Sequence, residues 1–150
     1  MSADAILTRM RRFLLLLSGL LQAATVVELI FIGHTDGIQL LPFGLCAVGL
    51  LVVVLAWRQP QRRTLLGLRV GMAPVALGGF FGVYEHVANN ISFLLETNPA
   101  ATTAKIITKA LGGANPLLAP GMLTLAAVLA IAATYYHPAL TVSEDGSARA

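Results

Sequence analysis

Four stretches of this chain, near residues 13–32, 38–57, 70–95 and 117–136, are almost unbroken runs of apolar side chains. A helix rises 1.5 Å per residue, so about twenty residues cross a hydrocarbon layer about 30 Å thick, and each run is long enough. Composition agrees: 57% of the residues are hydrophobic and 11% are charged, against about 25% charged in a soluble domain. The expected fold is all-α, an integral membrane four-helix bundle with four transmembrane spans. The spans and their connections fill nearly the whole chain, so residues 1–150 form one domain.

Charge sets the orientation. Of the ten basic residues, Arg9, Arg11, Arg12, Arg58, Arg62, Arg63 and Arg69 fall in the N-terminal arm or between the second and third runs. The other side carries only Lys105 and Lys109. By the positive-inside rule the arginine-rich side is cytoplasmic, which puts both termini inside and points to a bacterial inner membrane. The net charge of +3 is thereby explained by the lipid bilayer as partner, with no nucleic acid required. The basic start and apolar stretch RMRRFLLLLSGLLQAA also resemble a signal peptide. The apolar pattern continues through TVVELIFI, however, and Leu21 and Gln22 stand where a cleavage site needs a small residue, so the segment reads as a retained span.

Punctuation between the runs is clear. Gly33, His34, Thr35, Asp36 and Gly37 make a short polar turn, and Pro60 within RQPQRR interrupts the inner connection. Trp57 and Arg58 place an aromatic ring and a cation at the headgroup level. The third run is long enough to tilt or bend, with Pro74 as a bending point. In the outer connection Ile106, Ile107, Ala110 and Leu111 share one helical face opposite Lys105, Thr108 and Lys109, which predicts a short helix on the membrane surface. Gly112, Gly113, Asn115 and Pro116 end it. Pro120 suits the first turn of the fourth helix, and Tyr135 and Tyr136 mark its inner interface. His137 and Pro138 stop that helix, with His137 near its terminal carbonyls. The tail TVSEDGSARA is polar and expected to be mobile.

Chemistry is sparse. Cys46 is the single cysteine and lies within an apolar run, which suits a small packing residue and excludes an intrachain disulfide. Ionisable groups are costly within a bilayer, which makes Glu28, Glu85 and His86 the functional candidates. On the third helix Gly71, Pro74, Gly78, Gly82, Glu85, Asn89, Ser92 and Glu96 lie within about 40° of one line at 100° per residue. Gly78 and Gly82 form a G-x-x-x-G helix contact, and the stripe leads outward into Glu85 and Asn89, flanked by His86 and Asn90.

Two readings of that stripe compete. In the first, Glu28 or Glu85 pairs with His86 while Asn89 and Asn90 complete a structural polar seam. In the second, Glu28, Glu85, His86, Asn89 and Asn90 form a proton relay or ion site, with Glu28, His34, Asp36, Glu85 and His86 as candidate metal ligands. Carboxylate and imidazole donors suit zinc, iron or copper, but no H-E-x-x-H, C-x-x-C-H or cysteine cluster is present, so no cofactor is required. The expected function is a small accessory or scaffold subunit associating with a second copy or another membrane protein through glycine- and alanine-rich faces. An oligomeric proton-coupled or cation transporter is the alternative, and a membrane metal or redox protein the third.

Overall fold

A computed structural model describes residues 2–34, 36–115 and 117–141, all of whose regular structure is helical. Thr35 of the polar turn, Pro116 and residues 142–150 of the expected mobile tail lie outside the described residues, whereas Thr141 at the start of that tail is helical. Helix α1 spans Ala3–Phe31, α2 Leu41–Arg58, α3 Arg62–Thr97, α4 Thr103–Gly112, α5 Leu118–Ala132 and α6 Pro138–Thr141, with a 3₁₀ turn at Gly37–Leu40 before α2. Helices α1, α3 and the continuous Gly37–Arg58 segment are long and apolar enough to cross a membrane. These three helices mark an integral membrane protein.

Local chemistry accounts for the boundaries. Ser2 caps α1 by accepting from the Ala5 amide at 3.3 Å, and Asp4 in the first turn suits the helix dipole. At the far end Gly33 takes φ +67°, and the His34 and Gly33 amides donate to the Leu29 and Ile30 carbonyls. That pair of bonds is a Schellman ending, which needs a residue free to adopt left-handed backbone. Helix α2 starts with Pro42 in its first turn and ends with Arg58 in its last. The Gln61 amide donates to the Thr64 hydroxyl at the start of α3, and α3 runs unbroken through Pro74. Thr102 caps α4 by accepting from the Lys105 amide.

Consecutive long helices lie side by side, and α5 closes the ring by packing against both α1 and α3. Helices α1 and α3 therefore occupy opposite corners, with no pair of Cα atoms within 8 Å. Glu28 on α1 and Glu85 and His86 on α3, expected to share one seam, are thus carried by helices that are not neighbours. Short connections force neighbours in sequence to be neighbours in space, which sends alternate helices across the diagonal. Helix α5 is also shorter than the expected fourth span: its 15 residues cover about 22 Å, and the chain turns over Ala133–Tyr136 before α6.

Leu68, Met72 and Val75 of α3 are fully buried against Cys46, Val53 and Ala56 of α2 and Leu123, Ala127 and Ala130 of α5. The outer surface carries Phe13, Leu20, Phe31, Leu77, Phe80 and Phe93, each more than half exposed. Apolar groups outside and close-packed small groups inside are what lipid as a solvent favours. Lipid tails are as apolar as leucine, so tight fit rather than water exclusion holds such helices together.

Candidate functional site

The buried line of α3 runs through Leu65, Leu68, Met72, Val75, Gly79, Asn90 and Leu94. It lies about one residue, or 100°, round the helix from the small-and-polar stripe read in the sequence. The stripe instead borders the two contacts of α3. A Cβ at Gly71 would stand 2.9 Å from Val52, and one at Gly78 would stand 2.2 Å from Leu45, so both glycines admit α2. A Cβ at Gly82 would stand 2.8 Å from Pro120 of α5, and one at Gly79 would stand 2.8 Å from the Pro120 carbonyl and closer still to the Thr124 hydroxyl. The Thr124 hydroxyl uses that space to donate to the Ala76 carbonyl at 3.4 Å. Ala126, Ala127 and Ala130 are likewise completely buried. The glycine and alanine faces are thus occupied by the chain's own helices.

The depth of the candidate acids can be measured from a layer of cations at the opposite end. Arg11 donates through Nη2 to the Tyr136 carbonyl at 2.9 Å and the Tyr135 carbonyl at 3.5 Å. Arg69 donates through Nε to the Thr134 hydroxyl at 2.8 Å and through Nη2 to its carbonyl at 3.4 Å. These guanidiniums satisfy carbonyls beyond the end of α5, which has no basic residue in its own last turn. Tyr136, at φ +46°, is held in left-handed backbone within this turn. Arg12 lies 5.9 Å from the centre of the Trp57 ring, a cation–π distance. Counted along the helices from this layer, Glu28 on α1 and Glu85 on α3 both lie about 25 Å towards the other end of the bundle.

At that end of the bundle the candidates differ in exposure. Glu28, Glu85, His86 and His34 are half-buried, while Asn89 and Asp36 are exposed. Among the described residues no three His, Cys, Asp or Glu side chains stand close enough together to hold a metal ion. No three of Glu28, His34, Asp36, Glu85 and His86 among the described residues thus form such a group, and Glu28 and Glu85 are carried by diagonal helices. Asp36 uses its backbone amide to donate to Gln39 at 3.5 Å.

Asn90, not Asn89, is the amide that enters the protein. It is 3% exposed, donates to the Ala110 carbonyl at 3.3 Å and the Asn115 carbonyl at 3.0 Å, and accepts from the Asn115 amide at 2.9 Å. It pins α4 and the following turn to α3. Ala110 is buried in this contact and Ile106 is half-buried, whereas Ile107 and Leu111 are 57% and 63% exposed. The two sides of the expected apolar face thus serve different surroundings.

A second buried polar line lies on α1, where Ser18, Gln22 and Thr25 turn inward between Leu15 and Leu29. Gln22 Nε2 donates to the Ser18 carbonyl at 3.4 Å and hydroxyl at 3.3 Å, and the Thr25 hydroxyl donates to the Leu21 carbonyl at 2.9 Å. Gln22 Oε1 is buried without a conventional hydrogen-bond partner and occupies the place a Cβ at Gly49 would take, 1.8 Å from it. Gly49 can face this oxygen only with a Cα hydrogen, the weak donor that recurs where helices touch. The Ser18, Gln22, Thr25 spacing of four and three is the sequence signal for this line, which lies beside the line of Glu28 on the same helix.

His137 lies at the arginine end, where its Nδ1 accepts from the Ala139 amide at 3.2 Å and starts α6. Burial and then the nearby Arg11 charge hold its pKa below the usual 6.5. Compared with protein-family models, curated proteins and solved structures, the chain has no match in any of the three.

Proposed function

We propose that the chain is a small accessory or scaffold subunit of a bacterial inner membrane, crossing it four times with both termini on the arginine-rich cytoplasmic side. In this reading α5 is the fourth span, completed at its inner end by the turn that Arg11 and Arg69 hold. The carrying observation is the chemistry of the interior. Among the described residues, its buried polar side chains are Ser18, Gln22, Thr25, Asn90 and Thr134, all amides or hydroxyls. Such groups fix helix geometry and do not titrate.

The association surface differs from the one expected from sequence, since the glycine and alanine faces already serve the bundle. The outward face of α3, with Leu77, Phe80, Phe81 and Tyr84 exposed beside half-buried Glu85, is the surface offered to a second copy or another membrane protein. A carboxyl at the edge of the hydrocarbon layer gains from a polar partner there.

Purification of the tagged chain in mild detergent tests this. A partner polypeptide or defined homo-oligomer should be recovered, and Glu85→Gln, which keeps hydrogen-bonding capacity, should leave assembly intact. Cation flux in liposomes driven by a pH gradient and abolished by Glu28→Gln or Glu85→Gln would replace the scaffold reading with a transporter.

A further inference from the structure

Between α1 and the end of α5, at the arginine-rich end, lies a groove of about 570 Å³. Leu7, Met10 and Leu14 form its wall on α1, Ile131 and Ala132 its wall on α5, and Arg11 and Arg69 stand within it. Tyr135 and Tyr136 border it and pack edge to face, with ring centres 4.7 Å apart. Both guanidiniums are already oriented by their bonds to the turn after α5. Those bonds engage Nη2 of Arg11 and Nε and Nη2 of Arg69, and a guanidinium carries five N–H donors. Each fork therefore keeps donors for an anion.

We infer that this groove holds one anionic phospholipid, with its phosphate on Arg11 and Arg69 and an acyl chain against Leu14 and Ile131. The inference rests on the reading that the arginine-rich end lies at the membrane surface. Its warrant is a match of two chemistries at one place. Arginine pairs with phosphate oxygens in a fork, and basic pockets between helices on the cytoplasmic side suit anionic headgroups. The apolar walls meanwhile offer nothing to a free hydrated anion and suit a hydrocarbon chain. A second copy docking here through the same end would bring its own arginines against these, which like-charge repulsion opposes. A lipid so placed would join α1 to α5, the helix whose terminal carbonyls depend on arginines from other helices.

The test uses the full chain purified in an uncharged detergent, with native mass spectrometry and thermal unfolding read after adding dioleoyl phosphatidylglycerol or dioleoyl phosphatidylcholine. One phosphatidylglycerol should be retained per chain, on the order of ten-fold more tightly than phosphatidylcholine, whose phosphate is the same but whose choline cation cancels the net charge that two guanidiniums attract. Ala132→Trp, which fills the groove and leaves both arginines, should abolish that preference. Leu7→Asp, which places a negative charge on the wall, should do the same by a different route, and Arg63→Gln should retain it. Equal retention of the two lipids, or an unchanged preference in both groove variants, overturns the inference. Competition by glycerol 3-phosphate as strong as by the intact lipid overturns it in favour of a free-anion site. Release of the chain from membranes by alkaline carbonate would defeat the membrane reading itself, whereas a chain that stays embedded without headgroup preference defeats only the lipid site.

Discussion

Asn90 and Asn115 exchange two hydrogen bonds: the Asn90 side chain donates to the Asn115 carbonyl and accepts from the Asn115 amide. A third bond reaches the last turn of α4 at Ala110. The side-chain amide thus acts as a piece of backbone, and it pairs polar groups of the turn after α4. Gly113 makes room for it, since a Cβ there would stand 2.4 Å from Asn90 Cγ.

Replacing Asn90 should loosen the outer connection. Asn90→Leu removes both donors and the acceptor and is expected to cost about 1–3 kcal/mol, the penalty for buried groups left unpaired. Hydrogen exchange over residues 103–115 should accelerate, while Asn89→Leu, at an exposed position, should leave that segment protected. Equal effects of the two variants would remove Asn90 as the pin.

Alanine at Gly79, Gly78, Gly49 and Gly67 should rank by what each new methyl meets. Gly79→Ala drives a Cβ to 2.8 Å from the Pro120 carbonyl and the Thr124 amide, both backbone, so α5 itself must move. Gly78→Ala meets a terminal carbon of Leu45, which can rotate away. A cost of about 1–3 kcal/mol is expected at Gly79 and less at Gly78. Gly49→Ala should be severe alone and partly rescued by Gln22→Ala, because the clash is with that one side chain. Gly67→Ala, with open space around it, should be neutral or stabilising through helix propensity. Unfolding in detergent reads the series.

His137 should make stability depend on pH. Its folded pKa lies below the ordinary 6.5 because burial and Arg11 disfavour the cation, so the unfolded chain binds the proton more readily. Its contribution is therefore present above pH 6.5 and is lost as pH falls through the lowered folded value. Protonation also ends the acceptance of the Ala139 amide by Nδ1. Unfolding temperature followed from about pH 8 to about pH 5 should fall less steeply in His137→Asn than in the parent chain. Identical slopes would assign the acid sensitivity to other groups.

The orientation can be read by labelling in a Cys46→Ser background. Asp36→Cys and Thr103→Cys, both at exposed positions, should react with an impermeant thiol reagent added to intact cells, and Arg62→Cys should react only after the membrane is opened. The reverse pattern would invert the topology and place the seven arginines outside.

Where the helices lie along the chain, and that they suit lipid, was settled by local sequence: the length of an apolar run, a Ser or Thr cap, a glycine able to end a helix with positive φ. The short α4 was legible for the same reason, since its apolar and basic residues separate at helical spacing. Which face each long helix turns inward was only partly legible, because α2 and α5 are apolar all round and lipid does not distinguish a leucine outside from one inside. That choice was made by fit, through Gly49 under Gln22, Gly79 under Thr124 and the alanines of α5. One residue's rotation separates Asn90 from Asn89, and only packing against α4 selects between them. The diagonal placement of α1 and α3 likewise belongs to the tertiary structure. Similar depth along two helices brings Glu28 and Glu85 to one level, but adjacency depends on which helices the connections allow to pack.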